Sequence, residues 1–108
     1  MRSLLFTLSL SLVLSACAGG VGGSFRGNGQ PPGKPVAAAQ VKVAASKDAM
    51  SGAYTELGIA KGTAPSAQQA VDQAKIHCGK AGGNWLIMNT EPFQSGSSYK
   101  VDAVCAKG

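Results

Sequence analysis

The sequence predicts an α+β fold, a two-layer sandwich of order β-β-α-β-β in which one helix packs on a small, mostly antiparallel sheet. Three observations predict it. Residues 66–81 carry small apolar side chains at helical spacing, between a capping signal and a glycine pair. The flanking segments 41–46, 54–62, 84–90 and 99–107 are short and rich in bulky or alternating apolar residues. Two cysteines, Cys78 and Cys105, fall on the inward faces of the helix and of the last strand.

Ahead of that domain stand two other segments. Residues 1–16 open with Arg2 and run through an apolar stretch, Leu4 to Leu14, broken only by Thr7, Ser9 and Ser11. That stretch is too short and too polar to span a bilayer and reads as the apolar region of a secretory signal. It ends in Leu14-Ser15-Ala16-Cys17, which matches the bacterial lipobox and predicts acylation of Cys17 as the first residue of the mature chain. The alternative is an ordinary signal peptide with a chance cysteine; the spacing of Cys17 after the apolar region favours the lipobox. Residue 18 is alanine and not the aspartate that commonly retains lipoproteins in the inner membrane, so an outer-membrane, periplasm-facing anchor is expected. Such a cysteine usually carries three acyl chains, and at about 0.8 kcal/mol per buried methylene two or more chains hold a protein essentially permanently.

Residues 17–40 continue as AGGVGGSFRGNGQPPGKPVAAAQ after Cys17, mostly glycine, proline and small side chains. The composition predicts a flexible tether that buries no core. Its 23 residues from 18 to 40 would average about 26 Å end to end and reach at most about 80 Å.

The folded unit is expected over residues 41–108. VKVAAS (41–46) reads as a short strand. YTELGIAKG (54–62) reads as a second, with Gly58 a candidate bulge or close backbone approach. Ser66 and Gln69 then form a capping box, and Ala67, Ala70, Val71, Ala74, Cys78 and Ala81 follow on one helical face. Gly82-Gly83 ends the helix, one of the two in the left-handed conformation. NWLIMNT (84–90) has the continuous apolar character of a strand buried on both faces, and EPFQSGSS is a loop. In YKVDAVCAK (99–107), Tyr99, Val101, Ala103 and Cys105 alternate with Lys100 and Asp102.

The two cysteines left after Cys17 are thus directed into one interior, in a compartment that oxidises thiols, and a Cys78–Cys105 disulfide is expected. With 26 residues between them it would contribute about 3.5 kcal/mol in the chain-entropy model. The functional alternative is a reactive Cys78 activated by His77. Neighbouring helical residues point about 100° apart, which turns His77 away from the sulfur. His77 is read as a partly exposed residue near the helix C-terminus, where positive charge is favoured.

Charge and motifs exclude several classes. Without Arg2 the chain has nine basic and five acidic side chains, scattered and without aromatic interleaving, so nucleic-acid binding is not expected. One histidine and two paired cysteines are too few for a metal site, and no cofactor is expected. There is no CxxC, no nucleophile elbow, no paired carboxylate motif, and the glycines of CGKAGGN end a helix where a phosphate loop would begin one. No catalytic residue is assigned, and Trp85 is read as core.

ELGIAKG (56–62), GGNWLIM (82–88) and DAVCAK (102–107) resemble, in order and placement, the ExLGxxxG, (G/A)xNxxI and AVC stretches of the Rcs stress-sensor lipoproteins of the outer membrane and related small lipoprotein domains. The likeness covers about half of the chain, roughly 54–107, besides the lipobox and the proline-containing tether. It implies a periplasmic, disulfide-held α/β sandwich without catalysis that contacts other envelope proteins, as the Rcs sensor does with outer-membrane barrels and an inner-membrane regulator. That sensor domain has four cysteines in two bridges; here there are two, with Cys105 at the AVC position and Cys78 in the helix. The expected function is accordingly protein interaction by a lipid-anchored envelope protein, a stress sensor or accessory lipoprotein, with an outer-membrane or periplasmic protein as partner. The alternatives are an oligomeric structural lipoprotein, favoured if Trp85 and Ile87 lie on an open sheet face, and a thiol-dependent enzyme, favoured by a free Cys78.

Overall fold

Alternating strands and one small-residue helix give the expected two layers, with more strands than expected. The computed structural model describes residues 20–31 and 33–108. The signal segment 1–16 and Cys17 lie outside the described residues. The strands are β1 (Gly22–Gly27), β2 (Lys42–Ala44), β3 (Thr55–Ala64), β4 (Trp85–Met88), β5 (Phe93–Ser95) and β6 (Ser98–Lys107), and the helix α1 spans Ala67–Lys80. The sheet order is β1-β3-β6-β4-β2, with β5 also on β6. Every pairing is antiparallel except β2 with β4.

The helix begins as its sequence dictates. The Ser66 hydroxyl accepts from the Gln69 amide at 3.3 Å and donates to the Gln69 side-chain oxygen at 3.2 Å. The reciprocal contact thus returns to the hydroxyl and not to the Ser66 backbone. At the other end Gly82 takes a φ of +94°, and the Gly83 amide donates to the Cys78 carbonyl at 3.0 Å, closing the last turn. The inward face of α1 is small: Ala70, Ala74, Cys78 and Gly79 are buried. Opposite it lies Gly62 of β3, where a Cβ would run into the Ala70 carbonyl. Helix and sheet are therefore closer than larger side chains would permit, and Leu57, Leu86 and Val101 complete the core between them.

Two corrections to the expected organisation concern residues 17–40. First, Gly22–Gly27 is not tether but a full strand on β3, with Phe25 opposite Ala60 and packed against the core. The period-two pattern is hidden because its inward neighbours, Gly23 and Gly27, have no side chains; one phenylalanine carries the whole apolar face. Second, residues 33–41 strap the C-terminus of α1. The Val36 amide donates to the Gly79 carbonyl at 2.8 Å, which also accepts from the Gly82 amide at 2.9 Å, and the Gly33 amide donates to the Ala81 carbonyl at 3.3 Å, so the strap pairs a carbonyl beyond the last turn and reinforces another. Gly79 admits the strap, since a Cβ there would meet the Val36 carbonyl. The strap ends in Val41, buried in the core beside α1.

Elsewhere the elements differ by small margins. The first expected strand shortens to Lys42–Ala44, and the second extends to Ala64. Gly58 sits at a register shift between Glu56 and Gly58, the expected bulge. Part of the expected loop EPFQSGSS forms β5, a hairpin on the start of β6.

The sheet face away from α1 is not bare. Ala44, Ile87, Val104 and Ala106 are buried there, with Met50 and Tyr54 of the β2–β3 connection packed over them. That connection is tied down at its surface by Lys47, whose ammonium lies 3.0 Å from the Glu56 carboxylate. The hydrogen bond and charge of Glu56 hold Lys47 above the usual lysine range.

Candidate functional site

The expected disulfide is present. Cys78 and Cys105 are bonded, with Cα atoms 5.4 Å apart and both side chains buried. Alternation along β6 turns Cys105 inward, opposite Leu86 in the β4 register, and the alanine-lined stripe of α1 brings Cys78 onto the same spot. Neither sulfur is a free thiol. His77 is half-buried and its ring lies against Gly23 of β1, away from the sulfurs, where the missing Cβ leaves room for it. The stretch KIHCGK is therefore a packing nexus: one residue contacts β1, the next is cross-linked to β6, and Gly79 receives the strap.

The resemblance-bearing Asn84 also has a structural task. Its amide nitrogen donates to the Gly108 carbonyl and its oxygen accepts from the Gly108 amide, both at 2.9 Å. Trp85 is half-buried on the face away from α1, and the Lys42 ammonium lies 5.6 Å from its ring centroid, within cation–π range. Ile87 beside it is fully buried by the chain's own segment. The apolar pair that would have favoured an oligomer is thus used internally.

Charge gathers on the outer half of the same face, across β1, β3 and β6. Register sets Ser24 opposite Lys61, Lys61 opposite Asp102, and Arg26 opposite Ile59. One step along, Thr63 stands opposite Lys100 and Lys100 opposite Phe93 of β5. Two adjoining open depressions of about 400 and 440 Å³ lie over these residues. Asp102 is held at their shared wall: Asn89 donates from its backbone amide to the Asp102 carbonyl at 3.3 Å and from its side chain to the carboxylate at 3.4 Å. The result is a shallow face that carries three cations, Arg26, Lys61 and Lys100, around one carboxylate. No histidine or second carboxylate lines either depression, so no acid–base pair converges there.

A third depression, about 510 Å³, runs between α1 and the free edge of β2. Val43, Val71 and Met88 line it together with Lys75 and Glu91. Among the described residues no group of three histidine, cysteine or acidic side chains is close enough to hold a metal ion. No helix among them is long and apolar enough to cross a membrane.

Sequence reading missed this charged face as a unit. Alternation in YKVDAV already set Lys100 and Asp102 together, but Lys61 and Arg26 join them only through a register that the bulge at Gly58 shifts and through a strand read as tether.

No protein-family model and no curated protein matches the chain. Among solved structures, the chain is similar to a Francisella virulence factor, FvfA, with a TM-score of 0.55 and 11% sequence identity, over 79% of this chain and 96% of that one. At that identity the likeness concerns the fold alone.

Proposed function

We propose that the protein is a non-enzymatic, lipid-anchored protein of the bacterial outer membrane, facing the periplasm, that acts by binding another envelope protein. The observation that carries this reading is the Leu14-Ser15-Ala16-Cys17 lipobox directly ahead of a domain stapled by the Cys78–Cys105 disulfide. Acyl chains on Cys17 would fix the protein at the membrane, and the disulfide fits an oxidising compartment. The charged face around Lys61 and Asp102 supports an interaction role, since it is open, carries exposed charge and has no converging acid–base groups. The narrower role of stress sensor or accessory lipoprotein draws on the resemblance of ELGIAKG, GGNWLIM and DAVCAK to the Rcs sensors.

Photo-crosslinking in living cells tests the interaction. A photoreactive amino acid at Lys61 should yield a discrete adduct with an envelope protein, and the same group at exposed Gln69 on α1 should not. Equal or absent adducts at both positions, in protein shown to be membrane-bound, contradict the reading. Metabolic labelling with an alkyne fatty acid tests the anchor: label should appear on the native chain and be lost in Cys17→Ser.

A further inference from the structure

We propose that the Gly22 end of the sheet rests directly on the lipid headgroups, so that the domain docks on the membrane surface and does not float on a long leash. This rests on the reading of Cys17 as acylated. The argument begins with chain length. Because β1 starts at Gly22, only residues 18–21 separate the acylated cysteine from the folded sheet. Five residue steps reach at most about 18 Å, and the headgroup layer itself takes up about 6 Å of that. A tether running to residue 40 would have reached about 80 Å. Incorporation of β1 into the sheet removes that freedom.

What stands at this end fits a lipid surface. Gly22, Thr63, Lys100 and Phe93 are successive register neighbours across β1, β3, β6 and β5, so they form one row. Three large hydrophobic residues are exposed among the described residues: Val21 at 46%, Phe93 at 48% and Val43 at 43%. Val21 directly precedes the row and Phe93 belongs to it. Lys100 lies between the two apolar groups and offers a cation to headgroup phosphate. The partner is therefore a phospholipid surface, with Val21 and Phe93 entering the headgroup boundary and Lys100 at phosphate level. The far end of the sheet, where Trp85 pairs with Ala106, lies six residues further along β6, about 20 Å from this row.

The distance between the two ends gives the test. The full-length protein is purified from membranes, its acylation is checked by intact mass, and it is reconstituted into vesicles of phosphatidylethanolamine and phosphatidylglycerol carrying a headgroup nitroxide lipid. Native protein reports on Trp85, the single tryptophan. The variant Phe93→Trp, at a half-exposed position, adds a second emitter at the proposed contact. Docking predicts that the nitroxide removes most of the added emission and leaves that of Trp85 nearly intact. A Gly/Ser spacer of about twenty residues inserted after Ala18, which adds about 25 Å of average reach, should restore the added emission. Acylated protein in which both tryptophans are quenched alike, or in which the spacer changes nothing, overturns the docking and leaves the lipid anchor standing. Protein without acyl mass overturns both.

Discussion

Removing the disulfide by Cys78→Ala together with Cys105→Ala should cost the domain a large part of its stability. The cross-link joins residues 27 apart, and closing a loop of that size in the unfolded chain corresponds to about 3.5 kcal/mol. For a domain of fewer than a hundred residues each kcal/mol moves the melting temperature by about 4–8 °C, so the double variant should melt about 14–28 °C below the native protein. Thermal unfolding followed by circular dichroism reads this directly, with the native protein measured in the presence and absence of reductant. Cys105→Ala alone should fall about as far as the double variant, because either change opens the same loop. A drop of less than about 4 °C would refute the reasoning, since it would mean that the unfolded chain gains little freedom when the link is lost.

Three further outcomes follow from packing. Phe25→Ala should lower stability by about 1–3 kcal/mol in chemical denaturation, because Phe25 is the inward side chain of β1; a flexible tether would show no change. Gly62→Ala should cost about 1–3 kcal/mol or more by the same assay, because its methyl group would meet the Ala70 carbonyl and lift α1 from the sheet. Ser66→Ala should cost about 1 kcal/mol through loss of the cap on the Gln69 amide, read as a shift in denaturation midpoint without a change in slope.

The helix was the most legible element because its signals are local. Ser66, the alanine spacing and Gly82-Gly83 each act within a turn or two, and each reappears where expected. The disulfide was legible for a related reason: two periodicities, one of 3.6 in α1 and one of 2 in β6, fixed which way each cysteine points. What escaped was non-local. β2 runs parallel to β4, a pairing with no turn signal to announce it. β5 is three residues whose side chains are all exposed, so no apolar pattern marks it. β1 was hidden by its own composition, since glycine contributes nothing to a hydrophobic alternation yet places no obstacle in a sheet that supplies the partner strand. The charged face inherits both difficulties: Lys100 and Asp102 were readable together from alternation, but Lys61 and Arg26 could not be placed beside them until the register was known.

The small-residue character of the core and the capture of residues 22–41 are two sides of one arrangement. A helix whose inward face is Ala70, Ala74 and Cys78 offers little apolar area, and such a layer is marginal on its own. The deficit is met from outside the central β-β-α-β-β unit: Phe25 and Val36 reach the core from the N-terminal side, and the strap's amides bond to the Gly79 and Ala81 carbonyls at the end of α1. Both contacts depend on close approach at Gly79 and on an open edge of β3, and both consume chain that would otherwise separate the domain from Cys17. If Cys17 is acylated as proposed, stability of the fold and distance from the membrane are thereby coupled, since each residue recruited to complete the core is one fewer between Cys17 and the domain. On this view lengthening residues 18–21 should alter where the domain sits without altering its melting temperature, whereas shortening the chain into β1 should alter both.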